Sequence, residues 1–136
     1  MDLDRLYKNF AVLSDWQDRY RFIIDLGKKL PAFPDEEKTE DNRVHGCMST
    51  VHMVVREDKE KPGAIDFLAA SDALIVNGLI AILMIIYNHK TPEEIRATDI
   101  ESIFNRLGLD GHISPNRRNG FFSMVERLKN LSSAKT

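Results

Sequence analysis

Apolar positions recur along the chain with two different periods, and the switch between them separates helical flanks from a short central sheet. Leu3, Leu6 and Phe10 share one helical face, which predicts a first helix beginning near Leu3. Ser14-Asp15-Trp16-Gln17 has capping-box spacing, with the Ser14 hydroxyl offered to the exposed amides and Gln17 reaching back. Trp16, Tyr20, Ile23 and Gly27 then repeat at helical spacing until Pro31 and Pro34 end the pattern. After the charged run from Asp35 to Asn42, which reads as a solvated, flexible loop, the period shortens to two. Val51, Met53 and Val55 alternate with Thr50, His52, Val54 and Arg56, as in a half-buried strand. A polar turn from Glu57 to Gly63 leads to a second alternation at Ile65, Phe67 and Ala69, so the two runs form an antiparallel hairpin.

The helical period then returns. From Ala73 to Tyr87 nearly every position is apolar, with Asn77 the one interruption. The run falls short of the roughly 20 apolar residues of a bilayer span and reads as a helix buried in a core, with Ser71-Asp72 as its cap. Thr91-Pro92-Glu93-Glu94 opens a further helix with proline at its first position and Glu94 completing a capping box. Asp99 caps a short helix that stops at Gly108. Ser114-Pro115 opens the last one, turning Phe121, Met124, Val125, Leu128 and Leu131 inward. Strands in the middle with helices on either side predict an α+β fold, a small antiparallel sheet with helices packed on one face. No repeat, low-complexity tract or linker divides the chain, so residues 1–136 read as a single domain.

Composition narrows the function. The formal net charge is −2, and nucleic-acid binding usually needs a concentrated basic surface; the pair Arg117-Arg118 is too small to supply one. The N-terminus is charged from Asp2 onward, unlike a secretory leader. With one cysteine in 136 residues, an internal disulfide is excluded and a reducing cytoplasm is the expected compartment.

That cysteine is the main candidate for chemistry. Cys47 lies in Arg43-Val44-His45-Gly46-Cys47-Met48-Ser49-Thr50-Val51, where the charged run meets the first strand. Gly46 frees the backbone and removes a side chain that would shield the sulfur. Arg43 and His45 add positive potential, which favours the thiolate, although Asp41 and the earlier acids stand near enough to neutralise Arg43; His45, two residues away, either faces the same side in an extended segment and assists deprotonation or is a solvated loop histidine. The alternative is an inert, buried thiol. Four scattered histidines, His45, His52, His89 and His112, give little support for a zinc site. There is no nucleophilic serine motif and no glycine-rich phosphate loop; no lysine stands in a context that marks a pyridoxal phosphate site. Three classes follow from the residues: a sulfur carrier, a thiol enzyme or redox sensor using Cys47 with His45, and an adaptor whose thiol is incidental.

The Cys47 segment, followed by Ser49 and Val51, resembles the sulfur-acceptor segment of the SufE family. Asp25-Leu26-Gly27-Lys28-Lys29-Leu30-Pro31 is similar to the exit of that family's second helix. Ser71-Asp72-Ala73 with Ile75-Val76 and Gly78-Leu79 resembles the start of its central helix, and Ser114-Pro115-Asn116-Arg117 with Asn119-Gly120 and Met124 its last one. The resemblance spans nearly the whole chain. It implies a fold like that of IscU scaffold proteins, with Cys47 as persulfide acceptor at a loop tip and Arg117 at the position of an arginine characteristic of the last helix. It further implies a cysteine desulfurase partner of the SufS or CsdA type, which would hold the pyridoxal phosphate while this chain holds no cofactor or metal, and a downstream iron–sulfur scaffold such as SufBCD. Met48 stands where the family usually has glutamine, and His52 where it has tryptophan; both bear on which partner is recognised. A persulfide needs shelter between transfers, so an apolar pocket behind the loop is expected, lined by Val51 and Met53 or by the buried helix.

Overall fold

A computed structural model describes residues 1–134. Among them are six α-helices and one two-stranded sheet: α1 (Leu3–Val12), α2 (Trp16–Gly27), β1 (Val51–Glu57), β2 (Ile65–Ser71), α3 (Leu74–Tyr87), α4 (Pro92–Ala97), α5 (Ile100–Arg106) and α6 (Pro115–Ala134). The predicted α+β order is the observed one. The strands pair antiparallel with Val51 opposite Ser71 and Glu57 opposite Ile65. Val51, Met53, Val55, Ile65, Phe67 and Ala69 are buried on one face, against α3 on the β2 side and α6 on the β1 side. The opposite face carries the partly exposed His52, Val54, Asp66 and Leu68, which is the alternation a one-sided sheet imposes.

The apolar run forms α3 as the axis of the core, with Leu79, Ile80, Ile82, Leu83 and Tyr87 almost wholly buried. No helix among the described residues is long and apolar enough to cross a membrane. Helix α2 packs most extensively against it, through a pair of glycines. A Cβ on Gly78 would stand 2.3 Å from the Ile23 carbonyl oxygen, and one on Gly27 would stand 2.5 Å from the Gly78 nitrogen.

Asn77, an interruption in the sequence pattern, has a structural task. Its Oδ1 accepts from the Ser71 N–H at 2.8 Å and its Nδ2 donates to the Ser71 carbonyl at 3.0 Å. Asn88, just beyond the other end of α3, accepts from the Phe67 N–H at 3.0 Å, and the Ile65 N–H reaches the Lys90 carbonyl at 2.9 Å. Three β2 amides, those of Ile65, Phe67 and Ser71, are thus satisfied by groups at or beyond the two ends of α3, which covers much of an edge that would otherwise be open to pairing.

Caps follow the predicted chemistry at α4, where Thr91 and Glu94 form the full box, and at α5, where Asp99 accepts from the Ser102 N–H. The backbone and side-chain bonds at Thr91, with Lys61 beside it, hold the Glu94 carboxyl at about 2. Two caps differ. The cap of α2 is Asp15 rather than Ser14, its carboxylate accepting from the Gln17 N–H at 3.0 Å; the helix begins at Trp16, one residue too late for Ser14 to occupy the capping position. Helix α3 is preceded by Ala73 with no side-chain cap. Ser71 Oγ accepts from the Ala73 N–H at 3.1 Å and Asp72 Oδ1 from the Thr50 N–H at 3.2 Å, so both side chains are used at the strand end instead. The charged run is folded too: Asp35–Glu37 and Glu40–Asn42 are single 3₁₀ turns, and Asn42 Nδ2 donates to the Glu37 carbonyl at 2.8 Å.

Candidate functional site

The segment carrying Cys47 is a short loop closed at its base. Val44 is buried and its N–H donates to the Val51 carbonyl at 2.8 Å, while Arg43 and His52 form a bridge one step further out. Between these anchors the chain turns at Gly46, whose φ of 90° belongs to the left-handed region and suits a residue without a Cβ. The turn means that the segment is not extended, and His45 does not face Cys47.

The loop lies on α6. A Cβ on Gly46 would stand 2.5 Å from Ser123 Oγ, and a Cβ on Gly120 would stand 3.2 Å from Cys47 Sγ. The half-buried thiol donates to the Gly120 carbonyl at 3.5 Å. Gly120 is therefore the seat of the sulfur. Because the ring of residues 45–50 is anchored 73 positions away in sequence, nothing local could reveal the contact; the sequence offered only the spacing that puts Gly120 and Ser123 on one face of α6.

Beside the thiol is a cavity of about 290 Å³. Val76 and Leu79 of α3 with Phe121 and Met124 of α6 form its apolar wall, and Ser49, Ser114, Asn116 and Arg117 its polar side. The expected wall from the buried helix is present, whereas Val51 and Met53 are not in the lining: the alternation of β1 points them into the core. Arg117 is fixed by its own amide donating to Ser114 Oγ at 3.2 Å and by Nη1 donating to the Tyr20 hydroxyl at 2.9 Å. Met48 stands at the mouth with 81% of its surface exposed. His52 lies on the outer face of β1, its ring 6.3 Å from that of Phe33.

The electrostatics follow the acids before the loop rather than its basic residues. Burial pushes the Cys47 thiol up from its ordinary value, because a thiolate loses hydration there. Arg43 and His45 do not oppose this, since both are turned to Glu40, at 3.8 and 3.5 Å. The seated sulfur is thus a neutral thiol hydrogen-bonded to a carbonyl. The structure brings Cys47, Gly46, Gly120 and Arg117 together, and leaves His45 in solvent.

Among the described residues, groups able to hold a metal gather at Asp58, Asp66 and His89, none of which lines the Cys47 cavity. His89 Nδ1 is 2.7 Å from Asp58 and 3.2 Å from Asp66, and His89 itself has a φ of 65°. The hydrogen bond to Asp58 raises the His89 pKa, and the Glu60 amide followed by the His89 bond lowers that of Asp58. This is an ion-pair clamp between the hairpin and the segment after α3.

Comparison with known proteins places the chain in a family. An uncharacterized SufE-like protein of Rhizobium meliloti is 43% identical over 129 residues, covering 93% of this chain and 91% of the relative. One from Rhizobium etli is 43% identical over 129 residues, covering 93% and 86%. The fold is shared with a hypothetical protein of Thermus thermophilus solved in solution, at a TM-score of 0.77 and 19% identity over 97% of this chain and 93% of that one. Residues 4–132 match the domain described as "SufE: Fe-S metabolism associated domain". A cysteine seated on a glycine of the last helix thus sits inside a match that runs almost from end to end, and the chain belongs to the SufE family, with a role in iron–sulfur metabolism.

Proposed function

We propose that the chain accepts sulfur from a cysteine desulfurase onto Cys47, stimulates that enzyme by removing its product, and passes the sulfur on for iron–sulfur cluster assembly through a scaffold such as SufBCD. The donor carries an outer sulfane sulfur on its own cysteine, and pyridoxal phosphate chemistry belongs to that partner, of the SufS or CsdA type. The Cys47 thiolate attacks the outer sulfur; a new S–S bond forms at Cys47, the donor S–S bond breaks, and the donor cysteine leaves as thiolate. The proton lost by Cys47 goes to solvent or to the leaving thiolate, and nothing is oxidised or reduced overall.

The observation that carries this reading is the position of the sulfur: on a short loop, half-buried against a cavity roomy enough for one more sulfur atom. A persulfide placed there is shielded from thiols in solution, yet the donor needs a thiolate that has left the Gly120 carbonyl and regained hydration. Two loop states meet both needs, seated between transfers and extended during them. The hinge of such a motion is the segment 45–50, inside the Val44–Val51 bond. The folded charged run 35–42 is less suited to it, with Asn42 held to Glu37 and Arg127 donating to the Asp41 carbonyl.

The thiol-enzyme alternative draws no support from geometry, since His45 pairs with Glu40. The test is intact-mass analysis after incubation with a desulfurase, pyridoxal phosphate and cysteine. Cys47 gains the mass of one sulfur atom, reversible by reductant and absent in Cys47→Ser; no adduct from a donor that is itself persulfurated defeats the proposal.

A further inference from the structure

A second cavity, of about 380 Å³, lies between α1, α2 and α5, away from the Cys47 loop. It is lined by Tyr7, Lys8, Phe10, Ala11, Arg19, Arg106 and Leu107. Three of its lining side chains are cationic and none is acidic, in a chain whose net charge is −2. Among the described residues, no carboxylate pairs with either arginine. The Arg106 guanidinium lies over the Tyr7 ring, 3.9 Å from its centroid. Arg19 donates from Nε to the Leu13 carbonyl, and its guanidinium is 5.1 Å from the Trp16 ring and 5.8 Å from the Phe10 ring. Neighbouring arginines behave otherwise: Arg21 is paired with Asp18 and Arg118 with Asp110. Asp4 is felt electrostatically at the Tyr7 hydroxyl, but it does not line the cavity.

Stacked guanidinium groups lose little freedom on binding, and their planar forks match the oxygens of a phosphate better than an ammonium does. Lys8 adds a mobile charge at the rim, and the Tyr7 and Phe10 side chains give the cavity an aromatic wall. We propose that this cavity is a binding site for a phosphate-class dianion, gripped by Arg19 and Arg106 and screened by Lys8. Free phosphate and a small phosphate ester share that chemistry; the ester gains the aromatic wall as well.

The site has its own reporters. Trp16 is the only tryptophan, with the Arg19 guanidinium over it, and each arginine Nε–H gives a separate signal in a nitrogen–proton NMR spectrum. Inorganic phosphate and phenyl phosphate are titrated into the full chain in a phosphate-free buffer, against sodium chloride at equal ionic strength. The expected result is a saturable shift of the Arg19 and Arg106 Nε signals with both phosphates and not with chloride; phenyl phosphate binding the tighter of the two identifies the ester as the ligand class, and equal binding identifies free phosphate. Affinity falls about tenfold or more in Arg106→Gln, the loss expected from one charge-assisted contact, and less in Lys8→Gln, an exposed position where folding is not at risk. Arg21→Gln, on the same helix as Arg19, binds as the parent does. Shifts that chloride reproduces, that do not saturate, or that persist unchanged in both Arg106→Gln and Lys8→Gln overturn the proposal.

Discussion

Gly120 makes room for the Cys47 sulfur by having no side chain. A methyl group there would stand 3.2 Å from Sγ, closer than comfortable contact, and the loop sulfur has more freedom to yield than the helix backbone. Gly120→Ala is therefore expected to displace the thiol from its seat without unfolding the protein, since alanine also favours the helix by about 0.5–1 kcal/mol. Cys47 alkylation by iodoacetamide is expected to accelerate severalfold, and its pH profile to shift to lower pH as the sulfur regains hydration. An unchanged rate at unchanged stability would mean that Gly120 is not what shelters the thiol. Conversely, adding a catalytically inactive desulfurase to the parent protein is expected to raise the Cys47 alkylation rate, once thiols on the partner are discounted. The sequence singled out this cysteine through its neighbours; the seat on Gly120 that desolvates it was not legible there. The acids before the loop do neutralise Arg43, as their position in the sequence suggested, with Glu40 the partner; pairing His45 with the thiol assumed an extended segment, and beyond the turn at Gly46 its partner is Glu40 as well.

Most elements were legible because each announces itself locally. The alternation of Val51, Met53 and Val55 identified a one-sided strand, and Thr91 with Glu94 and Pro92 fixed the start of α4. What remained hidden were contacts between elements, for which local pattern carries no signal. Asn77 looked like a flaw in an apolar run and proves to tie off the end of β2. Gly27 and Gly78 gave no sign that two helix backbones meet there. That meeting is a place where the fold tolerates no added volume. Gly78→Ala drives a methyl group into the Ile23 carbonyl and is expected to cost about 2–3 kcal/mol of unfolding free energy, in the upper range for overpacking. Gly63→Ala serves as the contrast. Its φ of 82° is strained for alanine but nothing lies within 4 Å, so the cost should be about 1–2 kcal/mol from the backbone alone. Urea denaturation of both variants distinguishes the two causes, and equal losses would contradict the close helix crossing.

At the scale of the whole molecule, the hairpin and the segment after α3 are joined by charge as well as by packing. His89 has a raised pKa in the folded state, so its contribution is fully present below the unfolded value of about 6.5 and is lost as pH rises through the folded one. Asp58 has a lowered pKa, so its contribution is present above the unfolded value of about 3.9 and is lost as pH falls through the folded one. Both are present between those limits. His89→Asn tolerates the left-handed backbone and removes the charge; its stability deficit against the parent should be larger near pH 5.5 than near pH 8.5 in denaturant titrations, and a deficit independent of pH would show that the clamp is not ionic. The bond from Val44 to Val51 acts on a different quantity, the length of the tether. Cys47 stands three residues past Val44, and a fully extended chain gains at most roughly 3.3–3.6 Å per residue, so the Cys47 backbone reaches about 10 Å from that anchor while the sheet stays intact, and the sulfur one side-chain length more. If sulfur transfer runs as proposed, a donor whose sulfur lies deeper than that has to bring it outward on a mobile arm of its own, and the handover would take place in the space between two proteins rather than inside either.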